Sequence, residues 1–116
     1  MGNNDLDRAP LIEIAIDPAG PVLRIVYSIP DQGGTQLLYE FTLPCSANEP
    51  AVRVTGYAHE SVRNSAFVAL EDLPGRVVRD ARSWLAEQIP RAEAGGKGEL
   101  AQALNRFRKA LSHAAA

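Results

Sequence analysis

The sequence predicts an α+β domain: an antiparallel four- to five-stranded meander followed by two C-terminal helices packed on one face, a two-layer sandwich. Three observations carry this. Apolar residues in the first half alternate with period two, those in the second half recur at helical spacing, and the gaps between the early segments are hairpin-short. Of the 116 residues 46% are hydrophobic and 22% charged, which suits one globular domain over 1–116. A chain this long buries about two-thirds of its unfolded surface without a metal or disulfide staple. Residues 1–9 are expected to be disordered or frayed, and 114–116 to fray.

The first strand is Leu11 to Ile16, with Ile12, Ile14 and Ile16 on one face and Glu13 and Ala15 on the other. Asp17-Pro18-Ala19-Gly20 suits a type I turn. The second strand, Val22 to Ile29, sends Leu23, Ile25, Tyr27 and Ile29 inward, and Pro30 to Gly34 breaks it. The third, Gln36 to Leu43, sends Leu37, Tyr39, Phe41 and Leu43 inward. Pro44 to Pro50 is a loop, and the fourth strand, Ala51 to Tyr57, turns Val52 and Val54 inward.

Keeping both inward sets on one face across a five-residue turn pairs Tyr27 with Leu37 and Ile25 with Tyr39. On the other face Arg24 then meets Glu40 and Val26 meets Leu38. Opposite charges directly across a ladder contribute about 0.2–1 kcal/mol. His59 to Ser65 is polar and carries no clear period. Phe67 to Leu70 reads as a fifth strand, with an edge strand or the lead into the first helix as the alternatives, so residues 66–70 decide the strand number.

Leu73-Pro74 opens the first helix, with Asp72 as its cap. Val77, Val78, Ala81, Trp84, Leu85 and Ile89 form its apolar stripe, and Pro90 is expected to stop it. Arg91 to Gly98, with three glycines, reads as a flexible connector. The second helix runs from Glu99 to Ser112, burying Leu100, Leu104, Phe107 and Leu111. Its acid at the start, and Arg108, Lys109 and His113 near the end, complement the helix dipole.

No apolar run approaches the roughly 20 residues that span a bilayer. The first seven residues are polar and acidic where a secretory leader is basic and then apolar, and Leu6 stands where a myristoylation signal has Ser or Thr. Cys45, the single cysteine, cannot form an internal disulfide, in keeping with a reducing compartment. The expected location is the cytoplasm. Ten arginines against two lysines, with eighteen alanines, point to a high-GC bacterial coding sequence. The net charge of −2 makes the whole chain no trap for nucleic acid. The charge is uneven, however: residues 1–50 hold seven acids and two bases, and residues 51–116 hold ten bases and seven acids.

Catalytic signals are incomplete. A nucleophilic cysteine needs a base or positive field, and Leu43-Pro44-Cys45-Ser46 supplies neither locally. His59-Glu60 begins a zinc-protease pattern, but Arg63 stands where the second histidine belongs. Gly95-Gly96-Lys97-Gly98 departs from a phosphate-binding loop at Arg91 and Gly98 and follows a helix rather than a strand, so it reads as a helix-to-helix turn. No serine lies in a nucleophile elbow. No catalytic residue, metal or cofactor is assigned.

Two surfaces remain. The open sheet face carries Ala15, Val26, Leu38 and Tyr57 amid Glu13, Arg24, Glu40, Arg53 and Thr55, an apolar streak rimmed by charge that suits a protein partner or a homodimer. Arg76, Arg79 and Arg82 on the first helix, with Arg106, Arg108 and Lys109 on the second, make a positive surface if the helices lie side by side. The expected function is that of a small, soluble, non-enzymatic protein-binding module: an adaptor, an immunity-type inhibitor or a chaperone. Its expected binding residues are Val26, Leu38, Tyr57, Arg76, Arg79 and Arg82. The alternatives are a small enzyme using His59 with Glu60 or Cys45, and nucleic-acid binding through the basic helices, which the net charge disfavours.

Overall fold

The computed structural model describes residues 10–17, 20–29, 35–43, 50–58 and 61–112. The expected frayed ends at 1–9 and 114–116, and Pro18 and Ala19 of the first turn, lie outside the described residues. Five strands form one antiparallel sheet in chain order: β1 (Leu11–Asp17), β2 (Gly20–Ile29), β3 (Thr35–Thr42), β4 (Pro50–Ala58) and β5 (Ser61–Ala69). A 3-10 turn, Leu70–Asp72, leads to α1 (Gly75–Ala94) and α2 (Gly98–Ser112). Strands first and helices second give the α+β arrangement that the two periodicities predict.

The hydrophobic pattern sets the register. β2 and β3 pair Tyr27 with Leu37, Ile25 with Tyr39, Arg24 with Glu40 and Val26 with Leu38. A slip of one residue between the two strands would put Leu23 and Ile25 on the opposite face from Phe41. All three, and Val52 on β4, are fully buried. The helices supply the other half of the same core: Val77, Ala81, Leu85 and Ile89 from α1, and Leu104, Phe107 and Leu111 from α2. Ile12, Ile14, Val54 and Trp84 are partly buried against it. Ile16 belongs to the inward set yet is 41% exposed, because it sits near the end of edge strand β1. No buried side-chain nitrogen or oxygen among the described residues lacks a hydrogen-bond partner.

Four details differ from the sequence reading. The fifth strand spans Ser61–Ala69 rather than 66–70, and Leu70 already belongs to the 3-10 turn. β5 is an edge strand whose first seven residues are exposed. With neither face covered there, no alternating apolar pattern is required, and polar residues fill the strand.

Asp72 does not cap α1. Leu73 precedes a proline, which forces it out of the helical region; its φ of −74° and ψ of 150° are extended. The helix therefore starts beyond Pro74, its N-cap, and no side chain caps it.

Pro90 does not stop α1, which continues to Ala94. An interior proline costs about 3 kcal/mol through its missing N–H and its clash with the preceding turn. Pro90 itself is exposed, but Ile89 and Ala92 beside it are buried, and their burial opposes that cost.

The connector is consequently only residues 95–97 rather than the whole of 91–98. The Lys97 N–H donates to the Ala92 carbonyl at 2.9 Å and the Gly96 N–H to the Glu93 carbonyl at 3.2 Å. Gly96 holds φ 70°, the left-handed conformation that a Schellman closure requires.

Candidate functional site

The uncovered face of the sheet is built from registered rows. One row reads Glu13, Arg24, Glu40, Arg53 and Phe67 across β1 to β5, alternating in charge before it ends on an aromatic ring. The adjacent row reads Leu11, Val26, Leu38, Thr55 and Ser65, and the next places Tyr57 between Gln36 and Val62. Strand alternation puts them on the side away from the helices, Val62 by way of the register shift between Gly56 and Tyr57. Leu11, Val62 and Phe67 are 67%, 60% and 64% exposed, while Val26, Leu38 and Tyr57 are half-buried between their neighbours.

Glu40 holds the centre of the charged row. Arg24 Nε donates to its Oε2 at 3.0 Å, and Arg53 donates to Oε1 from Nε at 2.8 Å and again from Nη2. Burial pushes the Glu40 carboxyl up, but the hydrogen bonds from Arg53 and Arg24 outweigh it and hold the group below its ordinary range. The two arginine stems lie on the sheet and leave the carboxylate little exposed.

The basic residues of the helices divide into two places. Arg76 faces the sheet side of α1: its Nε lies 3.3 Å from Asp80 Oδ2 and its guanidinium 5.3 Å from the centre of the Tyr27 ring. Tyr27 donates its hydroxyl to the same Asp80 oxygen and meets Tyr39 edge-to-face at 5.8 Å between ring centres. Burial, and then the hydrogen bond to Asp80, raise the Tyr27 phenol far above its ordinary range; burial alone raises Tyr39. Arg76 thus ties helix to sheet and does not join the basic surface.

Arg79 and Arg82 instead border a groove of about 860 Å³, together with Arg108 from α2. Leu70, Leu73 and Val78 line its base, Ser83 and Ser112 contribute hydroxyls, and Glu71 is the only carboxylate in the lining among the described residues. All three arginines are exposed, and none makes an ion pair with a described carboxylate.

Of the residues singled out from the sequence, Val26, Leu38 and Tyr57 share one face in adjacent rows, and Arg79 and Arg82 share one groove. Leu11, Val62, Phe67 and Arg108 complete the two surfaces. Alternation along a recognised fifth strand would have placed Phe67 on the open face; only tertiary packing places Arg108 beside Arg79. Cys45, His59, Glu60 and His113 lie outside the described residues. Among the described residues no three histidine, cysteine or acidic side chains gather as metal ligands, and no helix is long and apolar enough to cross a membrane. No family model matches the chain, and neither a curated protein nor a solved structure matches it.

Proposed function

We propose that the protein is a non-enzymatic protein-binding module that works through the open face of its sheet. One observation carries the reading: Leu11, Val26 and Leu38 form a registered apolar row on a sheet face that no helix covers, beside a row of alternating charge. Five strands at about 4.8 Å spacing make a face roughly 24 Å wide, and strands of about 25 Å give about 600 Å², the low end of the ~600–1,000 Å² per partner of a standard interface. An adaptor, an immunity-type inhibitor or a chaperone would each use such a face. The single cysteine and the arginine-rich, lysine-poor composition support a bacterial, cytoplasmic setting.

The charge order favours a second copy as the occupant. A two-fold axis parallel to the strands, between β2 and β3, sets Glu13 opposite Arg53 of the second molecule and Arg24 opposite its Glu40, and brings Val26 over its Leu38. Sheets stacked this way lie about 10 Å apart with interleaved side chains. Sedimentation equilibrium tests the reading: the mass should rise with concentration toward twice 12.5 kDa. Leu38→Asp should hold it at the monomer value. A wild-type chain that stays monomeric throughout overturns the proposal.

A further inference from the structure

The groove bordered by Arg79, Arg82 and Arg108 is independent of the open sheet face and calls for its own explanation. Two helices contribute three arginines to the lining of one recess, and among the described residues Glu71 is the one carboxylate in that lining. Like charges gathered at short range repel, and a bound anion relieves that repulsion while accepting charge-assisted hydrogen bonds. Arg79 and Arg82 stand one helical turn apart on α1, so both can reach the same ligand group. Arg108 approaches from α2, and Ser83 on α1 adds a neutral donor, while the Ser112 hydroxyl donates to the Lys109 carbonyl at 2.7 Å.

The base of the groove decides what kind of anion fits. The apolar floor is made of Ala86 and Gly75, which are exposed, together with the small remaining surface of Leu70, Leu73 and Val78, 1%, 8% and 6% exposed. A bare inorganic ion would leave that floor wet, whereas an apolar body would cover it. The volume of about 860 Å³ falls in the ~300–1,000 Å³ range of small-molecule sites. A nucleic-acid backbone needs a longer track of cations, and Arg106 and Lys109 do not line the groove. We infer that this groove binds a small organic oxyanion with an apolar body, its acidic group held by Arg79, Arg82 and Arg108 and its body lying on that apolar floor.

Fluorescence titration of the full chain with anilinonaphthalene sulfonate tests this, alongside its neutral analogue N-phenylnaphthylamine and inorganic phosphate. The sulfonate should bind saturably at one site, and the neutral analogue and phosphate should each bind at least about tenfold more weakly. Arg79→Ala with Arg82→Ala, and Arg108→Ala separately, should each weaken sulfonate binding about tenfold or more, with an unchanged thermal midpoint. Arg79→Lys with Arg82→Lys keeps the charge and serves if the alanine variant folds poorly; it should retain part of the affinity. Leu38→Asp should leave sulfonate binding unchanged, which separates the groove from the open sheet face. The inference is overturned if sulfonate binding is absent or indifferent to the arginines, or if either control ligand binds as tightly.

Discussion

Tyr27 on β2 donates its hydroxyl hydrogen to Oδ2 of Asp80 on α1 at 2.8 Å, joining the sheet to the helix layer across 53 residues of chain. Arg76 closes the cluster by pairing with Asp80 while lying over the Tyr27 ring. Tyr27→Phe should cost about 1.5–3 kcal/mol, the value of a hydrogen bond to a charged acceptor, read from urea denaturation. The raised phenol also fixes a pH dependence. Because the folded value lies above the ordinary 10.0, the stability it confers is complete below pH 10.0 and is lost as pH climbs from there toward the folded value. The alkaline loss of stability should be shallower in Tyr27→Phe than in the wild type.

Glu40 gives the opposite sign. Its carboxyl is held below the ordinary 4.5, so its contribution is complete above pH 4.5 and disappears as pH falls through the lower folded value. Glu40→Gln should lose about 2 kcal/mol near neutral pH, because the amide keeps one acceptor oxygen, turns an NH2 toward the other arginine and removes the negative charge that Arg24 and Arg53 share. The difference between variant and wild type should shrink in acid. A constant difference across that range would remove the ion pairs from the account.

Pro90 predicts a gain. It is exposed within α1, so Pro90→Ala should restore a helical hydrogen bond without disturbing the core. After the added freedom of the unfolded chain is discounted, about 1–2 kcal/mol of extra stability should remain, measured as a higher thermal midpoint.

Gly96 predicts a loss at the other end of the same turn. A side chain at φ 70° is strained even though a Cβ there would meet no neighbouring atom within 4 Å. Gly96→Ala should therefore destabilise by about 1 kcal/mol in chemical denaturation.

Where the chain was legible from sequence, one physical rule governed it. Strands β1 to β4 have one face against the core, so Ile25, Tyr39 and Phe41 had to alternate, and that alternation also fixed Arg24 opposite Glu40. β5 escaped because exposure along most of its length leaves it no pattern to keep. Pro90 reads as a stop because local propensity alone cannot register the burial of Ile89 and Ala92. The open face could be drawn from strand alternation alone. The groove could not: which of Arg76, Arg79 and Arg82 meets Arg108 depends on how α1 turns about its axis once Tyr27 engages Asp80.

The most direct test is methyl NMR with a soluble paramagnetic probe, recorded across a range of protein concentrations. Leu23 and Ile25, fully buried under the helices, should keep their signals throughout. Leu11, Val26 and Leu38 should be attenuated in dilute solution and become protected as a second copy covers them. Attenuation of Ile25 as deep as that of Val26 would contradict the two-sided sheet. Attenuation of Val26 and Leu38 that does not change with concentration would contradict the binding face.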